Sequence, residues 1–151
     1  MGGEDAHVAL DRDGRVVIVT RQQPHGQGHE TTLAQVAADE FGVAIEDVVV
    51  RFGDNDITPF AMIGTGGSRA ATMANGAVLH GTRALRAKVL ALAGDVFEAN
   101  PDDLELTDGV VAVRGTPAVN IELAELARIA AEEPDRLPPD ADRDLHVTQH
   151  Y

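Results

Sequence analysis

The sequence contains no cysteine and no tryptophan, and aromatic residues make up only 3% of its 151 positions. Without cysteine, the chain can form neither a disulfide framework nor a thiolate metal site. The hydrophobic fraction of 44% is therefore supplied mainly by valine, leucine, isoleucine and alanine. Alanine-rich packing lets backbones approach closely, so we expect a core of close-packed elements with few large side chains.

Basic residues are also scarce, with 12 lysines and arginines against 25 aspartates and glutamates, for a net charge of −13. Such a surface repels nucleic-acid phosphates and anionic lipid, so we expect no nucleic-acid partner. No apolar run approaches membrane-spanning length, and the N-terminal region lacks a signal-peptide core. We therefore expect a cytoplasmic protein without a membrane span. An anionic ligand remains compatible with this charge where local N–H groups outweigh the overall field.

The order of hydrophobic patterns predicts an α+β fold and argues against a doubly wound parallel sheet. We expect a mixed sheet of hairpins packed against a long alanine-rich helix and two shorter helices. Both hairpins turn at an Asp-Gly pair, and the strand with three consecutive valines is expected to be buried on both faces. The predicted elements are hairpins at 7–20 and 103–115, a strand at 46–52, and helices at 31–42, 69–99 and 120–133.

Two of the predicted helices carry further signals. Thr32 and Gln35 have capping-box spacing at the start of the first helix, so we expect Thr32 to cap it. Gly76, Gly81 and Gly94 lie inside the long helix, where each costs roughly 1 kcal/mol relative to alanine. We therefore expect the long helix to lie in close contact with another backbone.

The chain divides by composition near residue 133. Residues 1–133 hold all the predicted elements, whereas residues 134–151 contain three prolines and mixed charge. We expect 1–133 to form one domain or subdomain. We expect 134–151 to be an extended, unpacked tail or the truncated start of a further segment.

Two glycine-rich loops each lead into a predicted helix: PHGQGHET at 24–31 and GTGGSR at 64–69. A helix start exposes N–H groups without intrahelical partners, and preceding glycines let the backbone close on a ligand. Together these features make an anion site, typically for phosphate. Ser68 can cap its helix or donate to a phosphate, and Arg69 adds a guanidinium. The alternative is a flexible loop followed by an ordinary cap.

Gln27 is an amide between two glycines, which suits a polar heterocycle such as a pterin, or a phosphate. The loops match no common nucleotide motif, because Thr31 and Arg69 stand where a third glycine is needed. A zinc-protease motif is also absent, since Leu33 replaces its second histidine. Both loops therefore remain candidates for an anionic ligand that no short motif identifies.

Several other polar residues have ordinary explanations. His25 and His29 have no third metal ligand placed beside them, so we expect local hydrogen bonds or a ligand contact instead. Asp54, Asn55 and Asp56 fall short of a calcium loop and are expected to cap a turn. We assign no metal ligand in this chain.

Two segments resemble the molybdenum hydroxylase family, which includes xanthine dehydrogenases, aldehyde oxidases and the carbon monoxide dehydrogenase large subunit. They are PHGQGHETTLAQVAADEFGV and RFGDNDITPFAMIGTGGSRAATMANGAVL. The first motif followed by GTGGSR most resembles the carbon monoxide dehydrogenase type. The resemblance implies part of a larger molybdopterin-binding domain in a much longer subunit.

Members of this family hydroxylate carbon centres using water, or oxidise carbon monoxide. The resemblance implies a molybdenum–molybdopterin cofactor, often in the cytosine dinucleotide form in bacteria. It also implies partners: the remainder of the molybdenum subunit, and FAD-binding and iron–sulfur subunits or domains that carry electrons away.

The same resemblance assigns cofactor contacts to both glycine loops. Gln27 and its neighbours would lie against the pterin or its phosphate, and the GTGGS segment would form a second wall near the metal. The residues assigned in this way are Gly26, Gln27, Gly28, His29, Thr31, Thr65, Gly66, Gly67, Ser68 and Arg69.

The family's catalytic glutamate lies in a glycine-flanked motif that nothing here matches, so we assign no catalytic residue. The active-site cysteine of carbon monoxide enzymes is also absent, and Asn55 and Ala61 stand where relatives often have threonine and glycine. We therefore expect the 151 residues to be inactive in isolation. The alternatives are a stand-alone cofactor- or phosphate-binding module, and a structural domain whose loops bind nothing.

Overall fold

A computed structural model describes residues 3–54, 56–58 and 64–151 of the chain. The chain contains both strands and helices, and they do not follow a regular β-α-β repeat, which is typical of an α+β fold. The predicted fold class is therefore confirmed. The elements are β1 Asp5–Leu10, β2 Val16–Thr20, α1 His29–Phe41, β3 Val48–Arg51, α2 Asn75–Phe97, β4 Leu104–Thr107, β5 Val110–Val113, β6 Thr116–Glu122, α3 Leu123–Glu132 and β7 His146–His150.

The larger sheet has the strand order β3-β2-β1-β7. β1 and β2 form the predicted antiparallel hairpin, and α1 carries the chain across to β3, which runs parallel to β2. On β1, Val8 lies opposite Ile18 of β2 on one side and Val147 of β7 on the other. Alternate side chains of β1 and β2 are buried, which gives this sheet one face turned toward the helices.

The smaller sheet, β4-β5-β6, contains the second predicted hairpin and continues into α3. Both sheets contribute to one hydrophobic core, together with side chains from all three helices. Aliphatic residues dominate this core, as the composition predicts. Its most deeply buried large side chains include Ile18, Leu33, Phe41, Leu85, Leu92, Leu104, Leu126 and Ile129.

The long helix α2 follows directly on a π-helical turn, Ala70–Ala74, and packs across α1, β1 and β7. At Gly94 a Cβ would lie 2.8 Å from the carbonyl oxygen of Ala99, in the turn that directly follows this helix. At Gly76 and Gly81 the close neighbours are instead the side chains of Tyr151 and Val8. Backbone is therefore close to one of the three glycines, and it belongs to the chain leaving the same helix, not to another element as expected.

Two local predictions are wrong. Helix α1 begins at His29, and its cap is Gly28, which has the left-handed φ of 75°. Thr32 lies inside the first turn, and its hydroxyl donates to the carbonyl of His29. The valine-rich strand β3 is only half-buried, because it is at the edge of its sheet.

The tail is packed, contrary to expectation. β7 pairs with β1 in antiparallel register, and Leu137 and Leu145 on the way to it are buried. Backbone hydrogen bonds in both directions join Glu4 to Tyr151. These contacts complete the sheet; whether residues 134–151 also lead into a further segment stays a prediction. Within the described ranges, no helix has the length and apolarity that crossing a bilayer requires.

Candidate functional site

The first glycine loop forms a tight turn before α1. Gly26 and Gly28 have φ values of 97° and 75°, in the left-handed region where glycine is favoured. The side-chain oxygen of Gln27 accepts a hydrogen bond from the backbone N–H of His25. A Cβ on either glycine would meet no atom within 4 Å, so open space lies beside the loop.

The second glycine loop turns through two successive left-handed residues, Gly67 and Ser68. Left-handed backbone is uncommon for a residue such as serine and costs on the order of 1 kcal/mol. The carbonyl oxygen of Ser68 accepts the N–H and the hydroxyl of Thr72, which ties the loop to the first turn of the helix. No side chain caps this helix start.

The two loops meet in one pocket of about 350 Å³. The Thr65 hydroxyl lies 3.0 Å from the side-chain oxygen of Gln22 and 3.1 Å from the carbonyl of Gln23, so the second loop is fixed to the chain entering the first. Six of the ten predicted site residues line the pocket. The lining residues are Gln27, His29, Thr32, Thr65, Gly66, Ser68, Arg69, Ala70, Ala71 and Asn75.

Four predicted residues, Gly26, Gly28, Thr31 and Gly67, belong to the same loops but do not line the pocket. The three glycines shape the backbone, and Thr31 is exposed at the start of α1.

The structure adds four lining residues that sequence reasoning missed: Thr32, Ala70, Ala71 and Asn75. Ser68 has a left-handed backbone, and a π-helical turn, Ala70–Ala74, separates it from Asn75, so regular helical spacing does not predict that both line the pocket.

None of the described residues that line the pocket is acidic, although the whole chain has a net charge of −13. Its charged or ionisable lining residues are Arg69 and His29, and two helix N-termini border it. Helix starts carry a partial positive charge. The pocket is therefore suited to an anionic molecule, while the rest of the surface repels one.

Two polar atoms at the pocket wall are buried without a hydrogen-bond partner among the described residues: Nδ1 of His29 and Oδ1 of Asn75. At the end of the π-helical turn, the backbone N–H of Asn75 donates to the carbonyls of Ala70 and Thr72, and its side-chain NH₂ donates to the carbonyl of Ala71. Unpaired buried polar atoms are costly and mark positions that a ligand or solvent completes. The pocket is thus suited to a ligand with hydrogen-bonding groups at its periphery.

A buried carboxylate lies behind the pocket wall. Glu4 is fully buried and accepts hydrogen bonds from Arg21 at 3.0 Å, Gln22 at 2.7 Å and Arg69 at 3.0 Å. Arg69 also donates to the carbonyl of Gly3. Both of these hydrogen bonds come from Nη2 of Arg69 and point into the protein, and a contact between the Arg69 guanidinium and a ligand stays a prediction.

Two polar side chains away from the pocket, Asp54 and His80, have local roles. Asp54 caps the turn after β3 by accepting the N–H of Asp56, and His80 stacks on Tyr151 with ring centroids 5.5 Å apart. Among the residues that the structure describes, there is no group of three or more histidine, aspartate or glutamate side chains that could hold a metal ion. The departures at Asn55 and Ala61 lie outside the described residues.

An α+β fold with two glycine-lined helix starts around one acid-free pocket defines the class: a domain that binds a large anionic cofactor. The family model for the molybdopterin cofactor-binding domain matches residues 1–151. The chain belongs to this molybdenum hydroxylase family and is similar to the carbon monoxide dehydrogenase branch. The resemblance drawn from the two glycine motifs is thereby confirmed.

Relatives with curated names support this assignment. The chain is 34% identical over 148 residues to the nicotine 6-hydroxylase large subunit of Paenarthrobacter nicotinovorans, covering 98% of this chain and 18% of that protein. It is 30% identical over 148 residues to the carbon monoxide dehydrogenase large chain of Afipia carboxidovorans, again covering 98% and 18%. The chain therefore spans less than a fifth of the length of these relatives.

A solved structure shares the whole fold. Quinoline 2-oxidoreductase from Pseudomonas putida 86 superposes with a TM-score of 0.87 at 36% identity, covering all of this chain and 19% of that one. The names of these three similar proteins refer to nicotine, carbon monoxide and quinoline. Membership of the family therefore defines the cofactor-binding fold and leaves the substrate open.

Proposed function

We propose that this chain is the molybdopterin-binding segment of a molybdenum-dependent oxidoreductase large subunit, of the aldehyde oxidase, xanthine dehydrogenase and carbon monoxide dehydrogenase type. One observation carries the proposal: the two glycine loops, 33 or more residues apart in sequence, line one pocket that excludes acidic side chains. This arrangement favours the binding of an anionic cofactor.

The chain's residues would bind and orient the cofactor. The two glycine loops would present backbone N–H groups to the cofactor, and Ser68 and Gln27, which line the pocket, would offer a hydroxyl and an amide. His29, Thr31, Thr65 and Arg69 complete the proposed contact set. The molybdenum of the bound cofactor would supply the redox chemistry at the substrate. No described residue is assigned a proton-transfer role.

Further parts of the machinery belong to the same proposal. We propose the cytosine dinucleotide form of the cofactor, a cytoplasmic location, and partner subunits or domains with FAD and iron–sulfur clusters. The family resemblance supports these assignments, and the relative named as subunit gamma of the 6-hydroxypseudooxynicotine dehydrogenase complex is a member of a multi-subunit assembly. The chain's net charge of −13 also disfavours a nucleic-acid partner.

The test of cofactor binding uses the complete molybdenum subunit that contains this segment. Ser68→Asp places a carboxylate in a pocket that has none, and aspartate tolerates the left-handed backbone at this position better than most residues. We expect molybdenum per polypeptide, measured by mass spectrometry of the metal, to fall at least about tenfold because the added charge repels an anionic cofactor. Nucleotide released by acid hydrolysis would identify the cytosine form.

Gln35→Glu is the matched control, since it adds the same charge on an exposed position of α1 outside the pocket. It is expected to retain wild-type molybdenum. Full molybdenum in Ser68→Asp, or in a Gln27→Ala and Ser68→Ala double variant, would support the structural-domain alternative and contradict the proposal.

Isolation of the 151 residues tests the remaining alternative. We propose that this chain alone has no turnover with an aldehyde, a purine or carbon monoxide, because no residue matches the family's catalytic glutamate. Turnover by the purified chain would overturn that statement. Stoichiometric pterin on the purified chain would instead support a stand-alone cofactor-binding module.

A further inference from the structure

We propose that Glu4 is a positioning residue whose buried carboxylate holds the 64–69 loop in place and so sets the shape of the pocket. Glu4 does not line the pocket and lies outside both glycine motifs. Its role toward a ligand rests on the function proposed above, whereas its role toward the loop does not.

The carboxylate is the centre of a hydrogen-bond network that joins distant parts of the chain. It accepts from Arg21 and Gln22 at the end of β2, and from Arg69, 65 residues away in sequence. The side chains of Arg21 and Arg69 are only 15% and 13% exposed, so little solvent competes for their donors. Arg69 pairs with Glu4 at 3.0 Å, and Arg21 pairs with Glu4 at 3.0 Å and with Asp5 at 3.6 Å, so Glu4 contributes to the charge compensation of both arginines.

The side chain of Gln22 connects Glu4 to the 64–69 loop. A carboxylate can only accept, so Gln22 presents its NH₂ group to Glu4 and its carbonyl oxygen in the opposite direction. That oxygen lies 3.0 Å from the Thr65 hydroxyl, which must donate to it or to the nearby carbonyl of Gln23. The hydroxyl has one proton and donates to one of these two acceptors; the hydrogen bond to Glu4 orients the Gln22 amide so that its oxygen is one of them.

The loop is thus held at both ends. Thr65 is bonded through Gln22, and Arg69 is bonded directly, so the segment between them spans two fixed points. Ser68, within this span, adopts a left-handed backbone that an unconstrained serine rarely populates. The geometry therefore points to a 64–69 loop whose conformation is set by the protein itself, before any ligand binds.

Glu4 is itself held firmly. Its backbone exchanges two hydrogen bonds of 2.9 Å with Tyr151 at the edge between β1 and β7. The sheet therefore supplies a rigid base for the network, and the position of the loop follows from the position of the sheet.

The test is hydrogen–deuterium exchange on the full 151-residue chain without ligand. Glu4→Gln replaces one accepting oxygen with an amine that faces arginine donors. We expect the backbone amides of 65–72 to exchange at least about tenfold faster, while those of α3 keep their wild-type rates. Thr65→Val, which removes only the hydroxyl, is expected to give a smaller increase confined to the loop.

Leu126→Ala is the control, because this buried α3 side chain lies outside the network and the pocket. It is expected to lower the unfolding temperature while leaving exchange at 65–72 unchanged. Wild-type exchange at 65–72 in both Glu4→Gln and Thr65→Val would overturn the proposal. So would an equal acceleration throughout the chain in both variants.

In the complete subunit, Glu4→Gln is also expected to lose at least about fivefold of its bound molybdenum, whereas Leu126→Ala retains it. A faster-exchanging loop in a subunit whose wild type holds no molybdenum would leave the positioning role intact and contradict the proposed function. A faster-exchanging loop with unchanged molybdenum in a loaded subunit would contradict the link between loop position and ligand binding.

Discussion

Gly94 and Gly76 lie in the same helix and differ in what a methyl group would meet. At Gly94 a Cβ would lie 2.8 Å from the carbonyl oxygen of Ala99 and 3.2 Å from the Pro101 ring. Backbone cannot move aside cheaply, so we expect Gly94→Ala to lower the free energy of unfolding by about 1–3 kcal/mol. This loss outweighs the gain of about 1 kcal/mol in helix propensity. Urea unfolding of the purified chain measures it.

Gly76→Ala is the matched change in α2. Its Cβ would contact the ring of Tyr151, a side chain that is 47% exposed and can rotate into solvent. The helix-propensity gain then offsets the lost stacking of Tyr151 on His80, and we expect a change within about 0.5 kcal/mol of zero. Equal destabilisation by the two substitutions would show that rigidity of the neighbour does not decide the cost.

At the scale of elements, α1 and α2 are joined by a two-point ion pair between Glu40 and Arg83, with N–O distances of 2.8 and 3.1 Å. The hydrogen bonds from Arg83 lower the pKa of the Glu40 carboxyl. A lowered folded-state pKa stabilises the fold above the unfolded-state pKa, and this contribution disappears as the pH falls through the folded-state value. The pair is partly exposed, so the effect is small.

We therefore expect Glu40→Gln to lower the unfolding temperature by about 1–2 °C at pH 7. The difference from wild type should shrink as the pH falls through the lowered folded-state pKa of Glu40, because the wild-type carboxyl then becomes protonated too. A cycle with Arg83→Met isolates the pair, since the double variant should show no additional loss. A difference that persists unchanged at pH 2.5 would contradict the ion-pair explanation.

At the scale of the whole molecule, one core joins the two sheets. Leu126 on α3 belongs to the same buried cluster as Val8 on β1 and Leu104 on β4. We expect Leu126→Ala to lower the free energy of unfolding by about 2–5 kcal/mol, since it leaves a cavity in this shared core. Because the core is shared, circular dichroism and the fluorescence of Tyr151 should report the same single transition in urea.

A substitution of a buried side chain in the larger sheet provides the comparison. Val8→Ala on β1 should also displace the single transition of the whole chain, with the same dependence on urea concentration. Two separate transitions in either variant would show that the sheets unfold independently, in conflict with a common core.

Much of the fold follows from local sequence. The Asp-Gly pairs fix both predicted hairpin turns, and the apolar periodicity locates α1 and α3 to within three residues. The helix α2 begins six residues after its predicted start, because the π-helical turn Ala70–Ala74 precedes it. These features depend on neighbours within one or two turns of chain, so pattern alone identifies them. The same holds for the two glycine loops and the family that they indicate. The wrong cap at Thr32 arose because a left-handed Gly28 ends the loop earlier than the capping-box spacing implies.

The tertiary structure determined the contacts between residues that are far apart in the sequence. Leu145 and β7 look like tail residues in sequence, and their packing requires the exposed edge of β1, some 140 residues earlier. Glu4 reads as an ordinary acidic residue near the N-terminus; only the folded chain surrounds it with Arg21, Gln22 and Arg69. The sequence alone determined the local elements, the glycine turns and the family, because short-range propensity and motif spacing encode them. Convergence of the loops on one pocket, and the buried carboxylate behind it, were decided by long-range burial, which no local pattern records.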